Sequence, residues 1–294
     1  GKVIAGNKST GIYAGNINLI GNSETKAGNG GIAVYSKEGT VNISENSKVI
    51  VGSTLGNGQE GVGVYLAGNN QILNSDTDNL SIGKGSIAYV MTGQGNTVRT
   101  GVSGTTGVVT LSKDSVYMYS ADKTGNITNY TNLRSTGNEN YGLYTSGTAV
   151  NNGTIDFSQG VGNIGAYATG NTGKITNAGM ITVGKSEPEN KKYSVAMAGG
   201  YSWSKQDELL PIASRPAQYI GEVENAAGGV INVTGENSIA MFATYSNGGQ
   251  RSRAVNRGTI NLSGTGAIGM FIDAGGIGEN YGTIKGNAQN LKGV

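Results

Sequence analysis

The chain of 294 residues carries 52 glycines, three prolines and only 36% hydrophobic residues, too little apolar material for one thick central core. Its 21 lysines and arginines nearly balance 19 acids, so no overall field favours nucleic acid. With neither His nor Cys there is no Ser-His-Asp triad, no Cys-His pair, no imidazole or thiolate metal site and no disulfide.

In chain order, the opening residues GKVIAGNKST lack the charged-then-apolar pattern of a secretory leader, and nowhere do apolar residues run to the ~18 of a membrane-spanning helix. An exported form of this chain is therefore expected to be an internal piece. An apolar, small, apolar, aromatic phrase starts at Ile32 as IAVY. It returns at Val62 (VGVY), Ile87 (IAYV), Val116 (VYMY), Tyr141 (YGLY), Ile164 (IGAY), Val195 (VAMA), Ile239 (IAMF) and Ile268 (IGMF). Successive starts lie 30, 25, 29, 25, 23, 31, 44 and 29 residues apart. A companion phrase, Asn-x-Gly followed by a strand pattern, starts at Asn151, Asn177, Asn256 and Asn280, with a copy two residues longer at Asn225. No linker-like run interrupts the series, so residues 1–294 read as one tandem array of about ten units.

Apolar residues alternating with small or polar ones, as at Ile260, Leu262, Ile268 and Met270, follow the two-residue period of half-buried strands. A unit of 23 to 31 residues holds two or three such strands, with Gly or Asn at corners that need φ above zero. Propeller blades, at about 40 to 50 residues, are too long for it. The expected fold is all-β: a parallel β-helix, or β-solenoid, of about ten rungs stacked at ~4.8 Å. Thr259–Leu262 and Ile268–Phe271 are expected as two sides of one rung, and Asn256 and Asn280 as members of a side-chain amide ladder. Tyr35, Tyr65, Tyr144, Tyr167, Phe242 and Phe271 are expected to form an aromatic ladder rather than a sugar-binding stripe.

The alternation of NxGTINL with SIAMF or AIGMF, clearest from about Asn140 to Thr283, resembles the passenger domain of the large fusobacterial type V autotransporter adhesins, the arginine-inhibitable ones among them. The resemblance implies a right-handed parallel β-helix held outside a Gram-negative cell by a C-terminal outer-membrane barrel, attaching to other bacteria and to host cells. Neither leader nor barrel lies within these residues, which read as a passenger segment, expected to be monomeric and without a cofactor.

Enzyme readings find little support in the acids. Asp156 and Asp273 sit in separate phrases, and Asp76 with Asp78 lies in the polar corner NSDTDN, read as a solvated turn with a cation site as the lesser alternative. The glycine runs from Gly56 and Gly93, and GGIGEN from Gly275, lack the residues of a phosphate loop or a repeated calcium motif and read as turns.

Partner binding is expected where the phrase is interrupted, between 185 and 229, because insertions on a solenoid collect as projecting loops. That rung with its one long inserted loop holds Lys191, Lys192, Tyr201, Trp203, Lys205 and Asp207 as candidate contacts. The competing reading has Trp203, Leu209 and Leu210 folding back onto the coil. Arg251, Arg253 and Arg257, with no acid between them in sequence, form a second candidate for an acidic surface or a sialylated sugar. The expected function is a cell-surface adhesin segment. A structural spacer carrying a distal tip is the alternative, and a polysaccharide lyase or hydrolase is third.

Overall fold

The computed structural model describes residues 1–56, 58–200, 220–245 and 249–294. Among these, 31 short strands run from β1 (Lys2–Ile4) to β31 (Thr283–Gly286), and every ladder between named strands is parallel. The one helical element described is a 3₁₀ turn at Pro188–Asn190. After β1 the strands group in threes, one per side of a coil, giving ten rungs.

The front face is a ten-stranded sheet built from the first strand of each rung, from β2 (Thr10–Ala14) to β29 (Ile268–Asp273). A second ten-stranded face runs from β3 (Ile17–Leu19) to β30 (Ile277–Asn280). Thr259–Leu262, which is β28, and β29 are indeed two sides of the coil. The strand spacing gives the ten rungs a height of ~45 Å.

The small residue in the front-face phrase has a packing cause. Ala33 and Val34, like Ala196 and Met197, are consecutive yet both wholly buried in the main core, while Ile32 and Tyr35 on either side of the first pair are only half-buried and Val195 and Ala198 beside the second pack in a separate cluster. The ladder skips the small residue, pairing Ile32 with Val62 and then Val34 with Val64. At Gly142 a β-carbon would come 2.3 Å from the carbonyl oxygen of Gly165 in the next rung, so the skipped position has no room for bulk there. This doubled inward step bends the strand where a strict two-residue period would run straight.

The interior is a column of aliphatic side chains, with Val41, Val64, Leu73, Val109, Ile155, Ile181, Ile231 and Ile260 almost completely enclosed. One column changes character along the coil. At the last inward position of the second face the sequence of register partners is Leu19, Ile43, Ser75, Thr100 and then Asn129, Asn151, Asn177, Asn225, Asn256 and Asn280. Each asparagine amide donates to the side-chain oxygen of the next, at 2.8, 2.9, 2.9, 2.9 and 2.7 Å. Its second hydrogen closes the local corner: Asn151 to the carbonyl of Gly153 at 3.0 Å and Asn177 to that of Gly179 at 3.2 Å. The longer copy keeps the ladder by reaching further, Asn225 bonding the carbonyl of Gly229 at 3.3 Å.

The third face is split between the third and fourth rungs, before the asparagines begin at Asn129. Its first part ends at β10 (Leu80–Ile82), and its second starts at β13 (Val108–Leu111), which lies against β10 without ladder pairing. Corners between the second and third faces are four residues long before the break, as in 20–23; the corner at the break, 101–107, has seven, and those beyond it have two, as in Asn152 and Gly153, except for the four of 226–229. In the two-residue corners the buried asparagine closes the turn. Just past the break, the rings of Tyr89 and Tyr117 fill the interior edge to face at 5.3 Å, with a 2.7 Å hydrogen bond between the Tyr89 and Ser75 hydroxyls.

A groove on the front face as the candidate site

The outward residues of the front face form two apolar columns. One is nearly all aromatic: Tyr13, Tyr35, Tyr65, Val90, Tyr119, Tyr144, Tyr167, Ala198, Phe242 and Phe271 are successive register partners. Ring centroids lie 5.0 Å apart for Tyr13 and Tyr35, 4.8 Å for Tyr144 and Tyr167 and 5.7 Å for Phe242 and Phe271. The aromatic ladder expected from the sequence is therefore present, and it lies on the outside. Beside it runs an aliphatic column that includes Ile164, Val195, Ile239 and Ile268. Within the stack Tyr35 is pushed above the usual tyrosine pKa, first by desolvation and then by Tyr65 and Tyr13.

In the later rungs this face sinks into a groove of about 750 Å³. Two features shape it. Ala198 stands where its register partners Tyr167 and Phe242 carry rings. The corner before Val195 is lengthened into a short hairpin, closed by an antiparallel bridge between Glu187 and Lys192 around the 3₁₀ turn, and this hairpin forms one wall. The hairpin is anchored from below, since the Ser186 hydroxyl pairs with that of Ser238 at 2.9 Å and accepts from the Ser194 amide at 2.9 Å.

Of the residues singled out in the sequence, Lys191 and Lys192 line this groove. Lys191 is exposed, while Lys192 is half-buried and reaches the Glu139 carboxylate at 3.2 Å. Tyr201, Trp203, Lys205 and Asp207 lie outside the described residues, as does the stretch with Leu209 and Leu210.

The three arginines are not one acid-free run in space. Arg253 lies between Glu279 at 2.8 Å and Glu222 at 3.8 Å, and Arg257 reaches Glu224 at 3.1 Å while its guanidinium sits 4.7 Å above the Tyr281 ring. Lys174 completes the set, 2.9 Å from Glu222 and 3.5 Å from Glu224; its pKa is raised, chiefly by the hydrogen bond to Glu222. Neighbouring rungs thus supply acids that lie 26 to 33 residues away in sequence, which is why the local string shows none. Arg251 stays exposed and borders a small hollow of about 200 Å³ with Asn171 and Glu222.

Of the acids weighed in the sequence, Asp273 lines the groove. Asp76 forms an ion pair with Arg99 at 2.6 Å, bracing the corner beside the break in the third face. Among the described residues no three acids come together in a way that could hold a metal ion. The groove itself was not visible in the sequence, because it depends on Ala198 falling in register between two rings. Comparison with protein-family models, with curated proteins and with solved structures finds no match to this chain.

Proposed function

We propose that this chain is a segment of a cell-surface adhesin, a β-solenoid stalk that binds partners through its front-face groove and the loops beside it. The observation that carries the reading is the groove: an apolar, aromatic-lined hollow with a lysine-bearing wall, on an outer face that a plain spacer has no need to make apolar. The motif resemblance to fusobacterial autotransporter passengers supports display outside a Gram-negative cell and attachment to bacteria or host cells. On this reading the chain binds rather than catalyses.

The spacer reading is favoured by one feature, the unbroken amide ladder from Asn129 to Asn280, which builds length and stiffness without exposing anything. Beads coated with the purified chain separate the two. An adhesin segment makes the beads attach to partner bacteria or to host cells, and deleting 200–218 weakens attachment while circular dichroism is unchanged. Beads that attach to nothing in that panel leave the spacer.

A further inference from the structure

Given that adhesive role, on which it rests, we propose that the groove receives a polypeptide, seated by an aromatic or aliphatic side chain with acidic neighbours. A glycan is disfavoured by the floor. Ala198, Val195, Ile239 and Ile268 supply no hydrogen-bonding side chain, and as members of a continuous parallel ladder their backbone groups are engaged with neighbouring rungs. A pyranose pressed there would find partners for its hydroxyls only at the rim, whereas an apolar side chain needs none and gains burial.

The rim adds charge. Lys191, Lys192 and Lys292 line the groove against the acids Glu139 and Asp273, and Glu139 is engaged by Lys192. Lys191, exposed at the C-terminal cap of the 3₁₀ turn with φ of 57°, is held at the wall by the bond from its amide to the Pro188 carbonyl at 3.0 Å. An acidic residue flanking the seated side chain meets this excess of cations. Aromatic side chains suit the hollow because its walls include the edges of the ladder, where rings pack offset or edge to face.

The neighbouring rungs supply the test variant. Ala198→Tyr puts into the gap the ring that the same register position carries in most other rungs, so it fills the groove without asking the fold for anything new. A phage-displayed library of random dodecapeptides is selected on the wild-type chain, and an array of neutral and sialylated oligosaccharides is probed in parallel. The expected result is enrichment of peptides with an aromatic or aliphatic residue beside Asp or Glu, binding Ala198→Tyr about tenfold or more weakly and the exposed variant Lys191→Glu several-fold more weakly at low salt. Equal enrichment on wild type and Ala198→Tyr overturns the proposal, as does Ala198-dependent binding of oligosaccharides alone. Bead attachment to cells that survives Ala198→Tyr removes the groove while leaving the adhesive role, whereas absence of any attachment counts against the adhesive role itself.

Discussion

Asn177 donates its side-chain amide to Asn225 at 2.9 Å across 48 residues of chain, and both residues are completely buried. That bond spans the longest interval in the repeat, so the ladder continues unbroken from one rung to the next across it. Asn177 also accepts from Asn151 and donates to the Gly179 carbonyl. Replacing it with alanine strands polar groups on three sides in the interior. Asn177→Ala is expected to cost roughly 3 kcal/mol or more in urea denaturation, with each unsatisfied group contributing about 1 kcal/mol or above. The outer ladder provides the control: Asn42 bonds Asn18 and Asn74 at 2.8 and 3.0 Å on a solvent-facing surface, and Asn42→Ala is expected to cost under ~1 kcal/mol. Equal losses at the two sites would contradict the role of the buried ladder.

The skipped position on the front face is expected to reject bulk. Gly142→Val drives two methyl groups toward the Gly165 carbonyl and the Ile155 side chain, which would lie 3.4 Å from a β-carbon at this position. A loss of about 2 kcal/mol or more, read as a lower thermal midpoint, is expected from such overpacking. The contrast is Ala198→Tyr on the outward column, whose midpoint is expected to stay within about 1 kcal/mol of wild type because its neighbours already carry rings.

Tyr117 makes stability sensitive to alkali. Its hydroxyl is enclosed beside Thr100, Thr131 and Tyr89 without a well-formed hydrogen bond, and burial pushes its pKa up to about 12. Because the folded value exceeds the unfolded one, near 10, the neutral phenol's contribution is complete below pH ~10 and is lost as pH rises through about 12. The loss is on the order of 2 to 3 kcal/mol at full ionisation. Tyr117→Phe removes the ionisable group and is expected to move alkaline unfolding, followed by circular dichroism, to higher pH. An unchanged midpoint would place the alkaline sensitivity elsewhere.

The charge ladder on the second face is expected to be modest and salt-dependent. Arg253 is half-exposed between Glu222 and Glu279, so Arg253→Ala should cost about 1 kcal/mol at low salt, with most of the difference gone in ~1 M NaCl. A loss that salt leaves untouched would point to packing of the arginine stem instead.

The rung count, the two-sided phrase from Thr259 to Phe271 and the asparagine corners were legible because each recurs, and recurrence in a coil becomes adjacency. What does not recur was hidden. The seven residues 101–107 between Thr100 and Val108 gave no sign that the third face is split there, since corner length varies without a motif to mark it. The partners of Arg253 and Arg257 come from other rungs, so the local sequence suggested free cations where the fold has ion pairs. The groove was hidden for a related reason. Ala198 looks like one more small residue until register places it between Tyr167 and Phe242, and the Glu187–Lys192 hairpin looks like a polar loop until its serines anchor it beside the ladder.

The central claim is that the front-face groove, and not the repeating coil, makes the contact. Its most direct measurement is attachment of beads to partner cells, comparing wild type, Ala198→Tyr and the remote variant Asn42→Ala at equal surface density. Asn42→Ala beads are expected to attach as wild type does and Ala198→Tyr beads to lose most of their attachment, with both variants folded. Full attachment by Ala198→Tyr beads would contradict it.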